Sequence, residues 1–167
     1  MSSRGPASER ARARVVSRRE LAARLSRERR RGRRVVFTSG CYDLLHVGHL
    51  RSFEQAAALG DLLVVGVNRD RRVRELKGRG RPLTPERQRA EMVAGLAPVD
   101  WVVLFSDADA SPLIRALRPD VVCKGGEYRG AQTPEEQAIV ELGGRFVTLR
   151  QTPGVRTSKV LTRARRS

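Results

Sequence analysis

The chain has 167 residues, 40% of them hydrophobic and 31% charged, with a formal net charge of +16. That length suits one domain with a full hydrophobic core. No run approaches the roughly 18 apolar residues of a membrane span, the N-terminus lacks an apolar signal core, and Cys41 and Cys123 form no CxxC pair, which argues against a disulfide framework and for a reducing cytoplasm.

Residues 1–13 are small and charged without periodicity, and read as a disordered basic leader ahead of a single domain over 14–167. Residues 1–34 hold 13 Arg and 3 Glu, so +10 of the charge sits there. A basic segment can bind nucleic acid. This one has no aromatic residue for base stacking, so nucleic acid is not the expected partner and a solvated arginine-rich face is the simpler reading.

Ser17-Arg18-Arg19-Glu20 is a capping-box pattern that opens a helix with Leu21, Ala22 and Leu25 on one face, ending near Gly32. From there strands and helices alternate. Val35–Thr38 is a strand, and His49–Leu59 a helix closed by Gly60. Leu62–Asn68 is a continuous apolar strand, followed by a polar loop at Lys77–Pro82. Thr84-Pro85 opens a helix to about Leu96. Trp101–Phe105 is a strand, and Ser111-Pro112 opens a helix ended by Pro119. Val121–Lys124 is a strand, Thr133-Pro134 opens a helix closed by Gly143-Gly144, and Phe146–Leu149 is the last strand. Thr157 or Ser158 caps a final helix. Short apolar strands separated by helices of about ten residues predict an α/β, doubly wound, five-stranded parallel sheet, with its ligand across the carboxyl ends of the strands at the switch point.

The chemistry is concentrated between Thr38 and His49. This segment follows the first strand, opens a helix, and holds both histidines of the protein, His46 and His49, around Gly48. GxGxxG and GxxxxGK[ST] are both absent. Anion binding there would come from free N–H groups at the helix start, the positive end of its dipole, and two imidazoles three residues apart. The only lysines are Lys77, Lys124 and Lys159. In an arginine-rich chain a lysine can mark a place that needs a compact point charge.

Gly40-Cys41-Tyr42-Asp43-Leu44-Leu45-His46-Val47-Gly48-His49 resembles the GCFDLLHxGH signature of the cytidylyltransferase-like, HxGH nucleotidyltransferases. Asn68-Arg69-Asp70, Lys77-Gly78-Arg79-Gly80-Arg81-Pro82, Val99-Asp100-Trp101-Val102 and Lys124-Gly125-Gly126-Glu127-Tyr128 match further family motifs in register. Within the family the chain is most similar to the bacterial heptose 1-phosphate adenylyltransferases. That resemblance implies a Rossmann-like fold of the HxGH type and transfer of AMP from ATP to D-glycero-β-D-manno-heptose 1-phosphate, giving ADP-heptose and pyrophosphate for lipopolysaccharide or related glycans. The alternative is a cytidylyltransferase acting on glycerol 3-phosphate or another alcohol or sugar phosphate.

The resemblance also implies site roles. His46, His49 and Lys77 would be catalytic. Thr38, Ser39, Gly40, Cys41, Tyr42, Asp43, Gly48, Asn68, Arg89, Lys124, Gly125, Thr157 and Ser158 would bind the nucleotide. Asp43, Lys77, Arg81, Glu127 and Tyr128 would face the acceptor. Mg²⁺ would bind through the phosphates with no protein ligand, and the family suggests a homodimer. Departures from the pattern are Ser39 for the usual Asn, Tyr42 for Phe, Ala97 for a frequent Arg, and Arg156 for a small hydroxyl residue. The last two bear on nucleotide preference.

Overall fold

The computed structural model describes residues 6–125 and 132–153. Five parallel strands form one sheet in the order β3-β2-β1-β4-β5. They are β1 (Val35–Gly40), β2 (Leu62–Asn68), β3 (Trp101–Phe105), β4 (Val121–Lys124) and β5 (Arg145–Thr148). The helices are α1 (Ala7–Ala13), α2 (Arg18–Arg30), α3 (Val47–Ala57), α4 (Asp70–Lys77), α5 (Glu86–Ala94), α6 (Ser111–Leu117) and α7 (Pro134–Glu141). From β1 the chain moves outward to β2 and β3, then returns to place β4 on the other side of β1. The order therefore switches between β1 and β4, where a doubly wound sheet opens its ligand crevice.

Because neighbouring strand residues point to opposite faces, the apolar strands divide into two cores. Val36, Leu63, Val65, Val102, Val121 and Cys123 pack with Phe53 and Ala56 of α3, Ala90, Val93 and Ala94 of α5, and Ala11 of α1. Val35, Phe37, Val64, Val103, Phe105 and Val122 pack with Leu21 and Leu25 of α2, Leu113, Ile114 and Leu117 of α6, and Ala138 and Ile139 of α7. β2 is buried along its whole length, as its unbroken apolar run requires. Gly66 within it leaves room for Phe37 and Phe105, whose ring atoms would lie 3.0 and 3.2 Å from a Cβ.

The helix starts follow local chemistry. Ser17 accepts from the Glu20 N–H at 3.2 Å to cap α2, and Thr133 accepts from Glu136 at 3.1 Å to cap α7. At α6 the cap differs from the expected Ser111. The Asp109 carboxylate accepts the Ser111 N–H at 2.7 Å, and Ala110 holds the N-cap position. At α5 Pro85 is the N-cap rather than the first helical residue.

Three further expectations are corrected. The leader is not without structure over its length, because Ala7–Ala13 forms α1. Ala11 buries its methyl against α5, Arg12 pairs with Glu91 at 3.1 Å, and the Arg14 guanidinium donates to the Ala94 and Val99 carbonyls. Residues 14–16 then run along the edge of β3, with Val102 donating to the Arg14 carbonyl and Val16 donating to the Val102 carbonyl. This covers an otherwise open strand edge. Second, α3 begins at Val47, two residues before the expected His49. Third, α4 lies where no helix was expected, its first N–H at Asp70 bound by the Glu86 carboxylate at 2.8 Å. The final helix expected at Thr157 or Ser158 lies outside the described residues.

Gly60, between α3 and β2, has no room for a side chain. A Cβ there would sit 2.7 Å from Val36 Cγ2 and 2.9 Å from the Arg34 carbonyl oxygen, which belongs to fixed backbone. Gly60→Ala is expected to destabilise the protein by about 1–3 kcal/mol, read as a lower urea midpoint with an unchanged slope.

Candidate active site

The carboxyl ends of β1, β2 and β4 open into a cleft of about 820 Å³, within the range of small-molecule sites. β1 ends in Thr38-Ser39-Gly40. The Thr38 hydroxyl donates to the Cys123 carbonyl at 3.0 Å and ties β1 to β4 at the switch point. Tyr42 turns the chain with φ +50°, and its ring lies against Gly40, where a Cβ would stand 2.9 Å from the ring. A side chain at position 40 would displace the tyrosine and the loop it shapes.

His46 and His49 follow at the start of α3. His46 is the N-cap residue, extended at φ −145°. Its backbone N–H donates to His49 Nδ1 at 3.3 Å, and the two rings stack with centroids 3.9 Å apart. The edge of Tyr42 meets the His49 ring, with centroids 5.4 Å apart. Capping and lining the cleft are thus done by the same two side chains. With Nδ1 accepting, the proton of a neutral His49 sits on Nε2, so the ring is an N–H donor. Burial, then the neighbouring His46, pushes His49 down to about 4, and burial also lowers His46, against a backbone hydrogen bond acting the other way. At pH 7 the clamp is therefore two neutral rings at the positive end of a helix dipole.

Asp43 is buried below them. Its carboxylate accepts from the Arg81 guanidinium at 2.6 Å and from the Leu83 and Thr84 N–H groups at 2.7 and 3.0 Å. It fastens the Lys77–Pro82 loop to the histidine loop. Lys77, the last residue of α4, and Arg81 line the same cleft, Lys77 exposed. On the opposite side Lys124, at the end of β4, donates to the Ser39 hydroxyl at 3.0 Å and pairs with Glu135 at 3.0 Å. Gly125, Cys41, Gly48 and Asn68 complete the lining, with the Asn68 amide donating to Cys41 Sγ at 3.7 Å.

The fold therefore brings Thr38, Ser39, Gly40, Cys41, Tyr42, Asp43, His46, Gly48, His49, Asn68, Lys77, Arg81, Lys124 and Gly125 to one cleft. Glu127, Tyr128, Thr157 and Ser158 lie outside the described residues. Arg89 is the exception and corrects an expectation. Its side chain is 0% exposed and does not line the cleft. It donates to the carbonyls of Cys41, Asn68 and Thr84 and to the Asp70 carboxylate, the last three at 2.8, 2.9 and 2.7 Å. Sequence reasoning missed Glu135, Asp109, Phe105 and Arg72, which also line the cleft. Glu135 had a readable signal, a first-turn acid on a helix beginning Thr-Pro, but its pairing with Lys124 is tertiary.

Arg89→Lys keeps one charge but loses the planar fork. It is expected to cost about 3 kcal/mol or more, the range for breaking a buried pair, measured by denaturant unfolding. The His49 shift makes a second prediction. Its folded-state value lies below the unfolded 6.5, so between pH 6.5 and about 4 the unfolded chain binds more protons and acid favours unfolding. Relative to His49→Gln, the protein should lose up to about 3 kcal/mol of stability as pH falls through that window, with no difference in slope above pH 7.

Comparisons with known proteins agree with this geometry. The family model described as cytidylyltransferase-like matches residues 37–163. "Bifunctional protein HldE" of Alkalilimnicola ehrlichii is 45% identical over 149 residues, 89% of this chain and 31% of that protein. The protein of the same name from Desulfatibacillum aliphaticivorans is 41% identical over 142 residues, 85% of this chain and 29% of its own length. The chain thus spans under a third of these relatives. A solved structure, the lipopolysaccharide core biosynthesis protein of Thermoplasma volcanium GSS1, superimposes with a TM-score of 0.61 at 27% identity, covering 72% of this chain and 97% of that one. With His46, His49, Lys77 and Lys124 gathered at the switch point of a parallel sheet, the chain belongs to the cytidylyltransferase-like family and is a nucleotidyltransferase.

Proposed function

We propose that this nucleotidyltransferase joins AMP from ATP to a heptose 1-phosphate, D-glycero-β-D-manno-heptose 1-phosphate, releasing pyrophosphate. One observation carries the chemistry: the stacked, neutral His46–His49 pair at the start of α3, with Lys77 and Lys124 in the same cleft. The choice of sugar is supported by the likeness to heptose 1-phosphate adenylyltransferases, the matches to proteins named HldE and the structural neighbour in lipopolysaccharide core biosynthesis.

In the proposed reaction a phosphate oxygen of the sugar attacks the α-phosphorus of ATP. A new P–O bond forms as the bond to the β-phosphate oxygen breaks, and pyrophosphate leaves with the electron pair. No protein nucleophile is required, so the side chains position the groups and stabilise charge. The His49 Nε2–H and the His46 ring meet the charge that develops on the α-phosphate, at the positive end of α3. Lys77, at the end of α4 where the loop tied down by Asp43 begins, neutralises the approach of two anions. Thr157 and Ser158 are assigned to the β- and γ-phosphates by the family pattern. Mg²⁺ supplies further charge neutralisation when bound. The cleft carboxylates of Asp43, Asp109 and Glu135 each hold a partner already, which suits an ion held by phosphate oxygens and water. No helix among the described residues is long and apolar enough to cross a membrane, and we place the reaction in the cytoplasm.

Pyrophosphate release assayed over a grid of triphosphates and sugar phosphates tests the reading. ATP with the heptose 1-phosphate should turn over. Turnover with CTP and glycerol 3-phosphate instead would transfer the assignment to the alternative. His46→Ala and His49→Ala should each lower kcat by about 10²–10³, the worth of one transition-state donor. Each should shift Tm by only a few degrees, since a helix cap is worth about 1 kcal/mol.

A further inference from the structure

At the amino ends of the strands a second cavity opens, of about 540 Å³. β1 separates it from the catalytic cleft by about 20 Å, six residues at the strand rise. Four arginines line it, each from a different part of the chain: Arg29 from α2, Arg34 before β1, Arg118 after α6 and Arg145 at the start of β5. The fold, not a basic run of sequence, gathers them. The one carboxylate in the lining, Asp120, accepts the Val35 N–H at 2.7 Å through Oδ2.

Arginines without an ion pair also occur elsewhere among the described residues, such as Arg19, Arg27, Arg51 and Arg87; what marks these side chains is that they converge on one cavity. Eleven arginines elsewhere, from Arg12 to Arg115, each form an ion pair with a carboxylate. Among the described residues, Arg34, Arg118 and Arg145 form none. Arg118 also stands at φ +50°, closing α6 in the left-handed region where glycine or asparagine is usual. The Arg29 guanidinium donates to the Leu117 and Arg118 carbonyls at 2.7 and 3.1 Å and so fixes the position from which Arg118 projects.

We infer that this cavity is a second anion site that binds a diphosphate group, free or carried on a nucleotide. The volume lies in the small-ligand range. Planar guanidinium forks match phosphate oxygens bidentately, and an excess of three positive charges calls for more than one phosphate. Burial lowers the Arg29 pKa and the neighbouring Arg118 lowers it further, against Asp120. A bound anion would relieve that crowding. The site is separate from the cleft and does not depend on the acceptor assigned above.

The test is calorimetric titration of the full chain with inorganic pyrophosphate, with ADP and inorganic phosphate in parallel. A His46→Ala/His49→Ala background weakens the catalytic cleft. Pyrophosphate binding should persist in that background, and Arg118→Gly with Arg145→Gln should weaken it at least tenfold. Glycine suits the left-handed position, and both side chains are exposed. If that double variant does not fold, Arg145→Gln alone should weaken binding at least threefold. In the wild-type background the two arginine substitutions should leave pyrophosphate release unchanged. ADP binding as well as pyrophosphate identifies a nucleotide ligand, and pyrophosphate alone a free diphosphate; either supports the site. Pyrophosphate affinity that is unchanged by the arginine substitutions, or no tighter than that of phosphate, overturns it.

Discussion

The active-site loops are held in register by one buried cation. The Arg89 guanidinium, on α5, donates to the carbonyls of Cys41, after β1, Asn68, at the end of β2, and Thr84, before α5, and to the Asp70 carboxylate at the start of α4. Each carbonyl lies at or just beyond the end of a regular element, where ladder and helical bonding runs out. A buried carbonyl left without a donor costs about 1–3 kcal/mol, and a loop carrying several would rearrange toward water. One planar fork with five N–H groups can serve them together, which a lysine cannot. Asp43 does the complementary work from the other loop, collecting Arg81 and two backbone N–H groups.

This framework explains how two imidazoles become a phosphate clamp. A lone histidine in water titrates near 6.5 and changes character across physiological pH. Here the His46 N–H fixes His49 as a Nδ1 acceptor, and ring stacking with burial disfavours a proton on either ring. The result is a His49 ring that stays neutral around pH 7, beside a His46 ring whose pKa burial also lowers. Full positive charge is supplied by Lys77 and Lys124, which reach the cleft from opposite sides of β1. Fixed dipoles on the helix start and the charges on these longer side chains divide the labour between geometry and neutralisation.

The five strands and most helices were legible because their signals are local. Unbroken apolar runs gave β2 and β3 their limits, and Ser17 and Thr133 capped the helices expected of them. The motif residues also pointed to one end of the sheet, since a parallel sheet delivers every strand's carboxyl end to the same place. What could not be read was set by partners distant in sequence. α1 is seven small or charged residues with Ala11 as its one buried anchor, and it forms because Ala11, Arg12 and Arg14 find α5 and the edge of β3. α4 starts on a carboxylate sixteen residues away. Arg89 reads in sequence as a solvated or ligand-facing residue, and only the convergence of three loops shows why it is buried. Glu135 escaped for the same reason, since its partner lies on another strand.

The distribution of charge follows a related logic. Arginine is the ordinary surface cation of this chain, and several of its arginines are neutralised by nearby carboxylates such as Glu20, Glu28 and Glu75. Pairs of that kind contribute little stability, typically under about 1 kcal/mol, but they cancel the local field. Where carboxylates are withheld the field survives, and this happens at both ends of the parallel sheet. At the carboxyl end the acids are already engaged by backbone N–H groups or by a cation, so the positive ends of α3 and the lysines face the cleft. At the amino end, helix C-termini present carbonyls, and a phosphate would be repelled by them without the arginines. Arg29 covers two of those carbonyls itself. That leaves Arg34, Arg118 and Arg145 to set the potential of a cavity whose backbone alone would favour cations.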